Sequence, residues 1–343
     1  MMEAEAFAAE VAQRASSVLS QRGARSEVYS IGGLSFELVG CAETGEQWLG
    51  RAFLQGAGVP GRIAGSHRLV VWDGADREAL PPPPPWAPGA PEPLGVVGSH
   101  SNDAVRCAVD IHTNSLVVYD YSRNVSHTWY PSIPDLPAWA KASPFRVVLS
   151  WLCNLNRMQI VHGAAIAVDG RAVLLAGTGG AGKSTTALAC ALAGFDYLGD
   201  DYCAVEPAAG KVHMVYRTAK LFRPTLDMLP SLAGSLENPD KIDVEKGVLF
   251  LEGDDMRLAR SAELSAILLP RVGIESSTKL HPATRDDTIK AILPSTIGGL
   301  MGGTSVTPRL IMELVRSVPS FHLALGTDLA TVTDAVASRL MAA

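Results

Sequence analysis

Basic runs are missing from this chain of 343 residues, in which 29 lysines and arginines are scattered among 35 acidic residues for a net charge of -6. Neutralising a nucleic-acid backbone takes clustered cations, so no nucleic-acid partner is expected. No stretch approaches eighteen uninterrupted apolar residues, so no membrane span is expected either. The opening MMEAEAFAAEVAQRASSVLSQRG has no basic segment followed by an apolar core, the pattern of a secretory signal. Cysteines are few: Cys41, Cys107, Cys153, Cys190 and Cys203 are an odd number, widely spaced, with no C-x-x-C and no paired histidines beside them. That argues against a disulfide framework and against zinc. A reduced, cytoplasmic location is the expectation. What remains is an ordinary globular composition, 47% apolar and 19% charged, with length enough for two domains.

The most informative stretch is VLLAGTGGAGKSTTALACALAGFDYLGDD, from Val173 to Asp201. Val173 to Ala176 suits a buried strand, and Thr185 to Ala193 is an alanine-rich helix former stopped by Gly194. Between them Gly177, Gly182, Lys183 and Ser184 satisfy G-x-x-x-x-G-K-[ST]. In that pattern backbone N–H groups cradle phosphates, the lysine reaches the terminal phosphates and the hydroxyl serves Mg²⁺. Gly177, Thr178, Gly179, Gly180, Ala181, Gly182, Lys183, Ser184 and Thr185 are therefore the candidate nucleotide-binding residues, with ATP and Mg²⁺ as expected cofactors. Gly177, Gly179 and Gly182 also read as the G-x-G-x-x-G of dinucleotide folds. An ammonium and a hydroxyl directly after the third glycine favour a triphosphate with Mg²⁺ over that rival.

Four segments are expected along the chain: an N-terminal α+β module over 1–80, a proline-rich linker over 81–93, a second part of the module over 94–145, and a kinase domain over 146–343. Phe7, Val11, Ala15, Val18 and Leu19 recur at helical spacing between about Ala4 and Gln21. Strands are expected at Glu27 to Val39, His67 to Trp72, Ala104 to Ile111 and Ser115 to Asp120. Pro81 to Pro85 suit an extended, exposed spacer. Further on, Phe145 to Leu155 reads as a helix. Ile160 to Val168 and Arg171 to Ala176 read as a hairpin turning at Asp169 and Gly170. Lys220 and Arg223 are weaker candidates for phosphate contacts and Arg309 for a charge-stabilising arginine, and the glycines of IGGLMGGTSVTPRLIMELV suit either a mobile loop or an ordinary connection.

The string VHGAAIAVDGRAVLLAGTGGAGKSTTALACALAGFDYLGDDYCAV resembles the core of HPr kinase/phosphorylases and their relatives. They too carry a His-Gly pair about twenty residues before the glycine loop and paired aspartates just after the following helix. The resemblance implies an α/β fold, a P-loop kinase core of the HPr kinase/phosphoenolpyruvate carboxykinase type, joined here to the N-terminal α+β module. It places His162, Gly177 to Thr185, Asp200 and Asp201 on functional positions. On that reading Lys183 holds phosphate, Asp200 is the general base with His162 adjusting it, and Ser184 with Asp201 serves the metal. Which aspartate does which is open, since adjacent carboxylates at a strand end point different ways. The implied reaction is ATP-dependent transfer to a serine hydroxyl of a protein or peptide, including precursors of ribosomally made peptide products. A small hydroxyl-bearing metabolite as acceptor, or a regulatory NTP-binding module without transferase activity, are the alternatives. HPr kinases are hexamers, so a homo-oligomer is compatible with the resemblance. The Glu-Ile-Arg-Gly type of stretch that HPr kinases carry after the loop is absent here, which argues against HPr itself as substrate.

Overall fold

The computed structural model describes residues 2–42, 48–53, 66–74, 77–252, 256–299, 302 and 305–342. The fold is mixed α/β, with three sheets among the described residues. The chain forms two compact units: residues 1–152 with 300–304, and residues 153–299 with 305–343. This division falls after Leu152, inside a helix. Among the described residues no helix is long and apolar enough to cross a membrane. All five cysteines are buried thiols, and burial pushes those of Cys107, Cys153 and Cys190 up to about 12.

The first unit begins with helix α1 (Met2–Arg22), followed by strands β1 (Ala24–Ile31), β2 (Leu34–Cys41), β3 (His67–Asp73), β4 (Val105–Asp110), β5 (Ser115–Asp120) and β6 (Val125–Tyr130). They form one six-stranded sheet in the order β1-β2-β3-β6-β5-β4. The apolar stripe of α1 is real: Phe7, Val11, Ala15, Val18 and Leu19 are buried against Val39, Val70, Trp72, Cys107 and Val118. An aromatic cluster that includes Tyr29, Phe36 and Phe53 fills further space in this unit. Within the segment expected as an exposed spacer, Pro83, Pro84 and Pro85 are exposed, but the segment belongs to this unit rather than standing apart from it. Pro82 is buried, and the Trp86 ring meets Phe7 edge-on at 5.1 Å. An indole has enough apolar surface to hold a polyproline run against a helix. Two helices follow, α2 (Ala138–Lys141) and α3 (Arg146–Leu155).

The second unit carries β7 (Gln159–Val161), β8 (Gly163–Val168), β9 (Arg171–Ala176), α4 (Lys183–Leu192), β10 (Asp196–Gly199), β11 (Cys203–Glu206), β12 (Lys211–Met214), β13 (Thr218–Leu221), α5 (Arg223–Met228), β14 (Gly247–Phe250), β15 (Ser261–Val272), β16 (Lys279–Pro282), α6 (Arg285–Gly299), α7 (Thr307–Ser317), β17 (Ser320–Leu325) and α8 (Leu329–Met341). The expected hairpin is present: β8 and β9 pair from Val168↔Arg171 to Gly163↔Ala176. Its turn residues Asp169 and Gly170 have φ of 49° and 78°, the left-handed pair a two-residue hairpin demands. The strand β9 lies parallel to β15, which lies parallel to β17. The chain leaves β9 at the carboxyl end of this parallel set, where open α/β sheets bind ligands. Leu174, Ile267, Ile292, Ile311 and Leu314 share one core, so α6 and α7 cover one face. Val173 and Leu175 alternate with Leu174 and are also buried, as strands covered on both faces require.

The expected first hairpin arm, Ile160 to Val168, is broken in two. The strand β7 pairs with β11 (Val161↔Cys203), whereas β8 pairs with β10 (Ala165↔Gly199). Two antiparallel pairs therefore share one interruption, with His162 on one side and Asp200 to Tyr202 on the other. Asp201 sits there at φ 68°, a left-handed conformation that is uncommon outside glycine and concentrates at functional sites.

Candidate functional site

The sequence separates the glycine loop from the aspartate pair by a helix and a strand, and the fold returns them to one cleft of about 390 Å³ lined by His162, Gly179 to Thr185, Asp200, Asp201, Lys220 and Lys246. The loop opens α4 at Gly182, whose φ is 100°. A Cβ there would run into Leu325 Cδ1 at the end of β17, so the loop's close seat on the parallel strands requires glycine. Backbone N–H groups of the first helical turn lack intrahelical partners and form an anion-binding end.

Lys183 is buried, and its ammonium rests on two neutral carbonyls, Gly177 O at 2.8 Å and Thr178 O at 3.0 Å. Burial pulls it below the usual lysine range, opposed by the charges of Asp200 and Asp201. A buried cation held by uncharged acceptors gains most from an arriving anion. Next to it, Ser184 Oγ donates to Asp200 Oδ1 at 2.9 Å, and the Lys220 N–H donates to Asp200 Oδ2 at 3.2 Å. Asp200 is 3% exposed. Burial, then the charge of Asp201, pushes its carboxyl above the usual range.

Asp201 has different company. Its Oδ1 lies 3.1 Å from His162 Nε2 and 3.5 Å from Lys246 Nζ, and its Oδ2 lies 2.8 Å from Lys220 Nζ. Burial pushes this carboxyl up, but Lys220, His162 and Lys246 outweigh it and hold it well below the usual range. The main-chain N–H of His162 donates to Thr296 Oγ1 at 3.3 Å, and its ring lies 5.9 Å from that of Tyr202. Ser184 was paired with Asp201 on the sequence reading; its hydroxyl meets Asp200 instead, because the left-handed turn at Asp201 aims the second carboxylate toward His162 and the lysines.

All the site residues read from the sequence lie in unit 2, and His162, Lys183, Ser184, Asp200 and Asp201 line the cleft together. Of the weaker candidates, Lys220 enters it as a 5% exposed partner of Asp201. Arg223 turns aside to a bidentate pair with Asp243 at 2.8 and 2.9 Å, and Arg309 is exposed on α7. The glycine-rich stretch near it falls partly on residues 300, 301, 303 and 304, which lie outside the described residues. Sequence reasoning missed Lys246, which belongs to no motif. A second cleft of about 460 Å³ lies against Gly177 to Ala181, with Arg271, Asp287, Lys290 and His322 on its walls.

A triphosphate with Mg²⁺ suits the residues present. Lys183 and the helix end would hold phosphate oxygens, and Ser184 with Asp200 offers two adjacent oxygen donors of the kind Mg²⁺ takes alongside phosphates. Among the described residues no group of three or more His, Cys, Asp or Glu side chains is arranged to hold a metal by itself.

No family model matches the chain, and no curated protein does. Among solved structures the chain is similar to the HPr(Ser) kinase/phosphatase from Coxiella burnetii, at 14% identity over 54% of this chain and 92% of that one, with a TM-score of 0.28.

Proposed function

We propose that unit 2 binds ATP with Mg²⁺ and is a phosphotransferase acting on a hydroxyl, with a serine of a protein or peptide as acceptor. The observation that carries this reading is the Ser184–Asp200 hydrogen bond of 2.9 Å beside the buried Lys183: residues of two separate motifs form one cluster at a helix N-terminus. When bound, the nucleotide supplies the phosphoryl group and Mg²⁺ neutralises charge on its phosphates.

The chain's own groups divide the remaining work. Lys183 and the loop amides orient the phosphates. Ser184 and Asp200 are the proposed metal side, which reverses the roles read from the sequence. Asp201 is unsuited to a divalent cation because two ammonium groups already lie within 3.5 Å of its oxygens and would repel one. Asp201 with His162 is therefore the acceptor side. Its carboxylate, kept ionised by its neighbours, accepts a hydrogen bond from the incoming hydroxyl, and His162 fixes the carboxylate's orientation. Ordering an acceptor in this way is the main demand of a loose phosphoryl-transfer transition state.

The test is ATP turnover with Mg²⁺, with and without serine-containing peptides and with a panel of small hydroxyl metabolites, read by intact mass. One added phosphate on a peptide, lost in Lys183→Ala, supports the reading. Consumption of ATP only with a metabolite moves the acceptor class, and nucleotide binding with no transfer to any acceptor overturns the transferase assignment in favour of a regulatory module.

A further inference from the structure

Three lysines line the cleft, and they are not equivalent. Lys183 belongs to the glycine loop, and Lys220 is buried with its Nζ 2.8 Å from Asp201 Oδ2. Lys246 has a side chain 33% exposed, and its Nζ stands 3.5 Å from Asp201 Oδ1, the outer limit of a hydrogen bond. Lys220 already matches the charge of Asp201, and an ammonium has three donors, so Lys246 keeps hydrogen-bonding capacity in hand. Its main chain is nevertheless pinned. Asn238 Nδ2 donates to the Lys246 carbonyl at 3.0 Å, and Asn238 Oδ1 accepts from the Val248 N–H at 2.9 Å. On the other side of the same turn the Arg223–Asp243 pair ties it to the start of α5. The Phe222 ring lies 5.3 Å from the ammonium, within reach of a cation–π contact. A fixed backbone carrying a partly exposed, weakly engaged cation is suited to charge that arrives with a ligand.

We propose that Lys246 contacts the terminal phosphate of the bound nucleotide, a role that rests on the nucleotide reading above. Lys183 and the loop amides serve the phosphates from the helix side, and Lys246 closes on the terminal one from the Asp201 side. The role expected of an arginine such as Arg309 thus falls to a lysine that no motif marks.

The test needs no acceptor. Affinities of the full chain for a non-hydrolysable ATP analogue and for ADP, each with Mg²⁺, are measured by calorimetry for the native protein, Lys246→Met and Lys246→Arg. Lys246→Met should weaken the ATP analogue about tenfold or more and ADP less than about twofold, as loss of one charge-assisted hydrogen bond to the terminal phosphate requires. Lys246→Arg should recover to within about threefold of the native value, since it restores a cationic donor. Equal losses for both nucleotides, or no loss, overturn the assignment while leaving the nucleotide site in place. If the native chain binds neither nucleotide, the underlying reading fails and this one with it.

Discussion

His162 and Asp201 face each other across an interruption shared by two antiparallel strand pairs, with Nε2 and Oδ1 3.1 Å apart. Lys220, His162 and Lys246 together keep Asp201 ionised against its burial, and the imidazole in addition fixes the orientation of the carboxylate. His162→Ala should lower kcat for transfer about a hundredfold, the lower range of acid–base effects, and leave nucleotide affinity within about twofold. Initial rates and calorimetry on the same preparation separate the two quantities. An unchanged kcat would remove His162 from the acceptor side.

The Ser184–Asp200 contact makes a separate prediction about the metal. Asp200→Asn should abolish the difference in nucleotide affinity between Mg²⁺ and a chelator, because a neutral amide is a poor Mg²⁺ partner, while Asp201→Asn should preserve that difference and lose transfer. The opposite pattern would restore the roles first read from the sequence.

Why does the sequence bring out the residues that share this cleft but not the contacts each makes within it? Local features report themselves: the spacing of Phe7, Val11 and Val18, the Asp169–Gly170 turn and the glycine loop each follow from neighbours within a few residues. Partner choice does not. Continuous apolarity from Ile160 to Val168 hides a break at His162, because the residues on either side are buried on different partner strands. The twelve-residue β15 pairs with β9 along one edge and with β12 and then β17 along the other, a change of partners that its apolar run does not announce. Lys220 and Lys246 reach Asp201 only through the sheet formed by β13 and β14, contacts that no spacing rule encodes. The exposure of Pro83 to Pro85 is legible in the proline run itself, whereas the contact of Trp86 with Phe7 is tertiary and is not.

Lys183 offers a test in which binding and stability move apart. Its ammonium is buried on neutral carbonyls, and burial pulls its pKa down. A lowered folded-state pKa for a base means that the charged form is disfavoured by folding at every pH below the ordinary lysine value. Lys183→Met should therefore leave Tm unchanged or raise it, as apolar replacements of buried charges often do, while weakening nucleotide binding by about a hundredfold or more. Thermal scans without nucleotide, set beside calorimetry, check both. A marked fall in Tm would show the lysine to be structural.

The last prediction concerns unit 1, where His67 and His127 are buried on the adjacent strands β3 and β6. His67 bonds Asn124 Oδ1 at 3.0 Å and Ser126 Oγ at 2.8 Å, and His127 Nδ1 has no hydrogen-bond partner. Burial takes each from 6.5 to about 4; Asn124 opposes this at His67, and Asp120 opposes it at His127. Between these values the unfolded chain binds more protons than the folded one, so stability rises with pH across the window and is lost as pH falls through it. Each histidine should forfeit up to about 3 kcal/mol on passing from pH 6.5 to 4. Replacing His127, whose ring nitrogen is unpaired, with leucine removes a proton acceptor without orphaning a partner. Denaturant titrations from pH 7 to 4 should show a shallower loss for His127→Leu than for the native chain. Parallel curves would mean that the acid sensitivity comes from other groups and that His127 is protonated in the folded protein as readily as in the unfolded one.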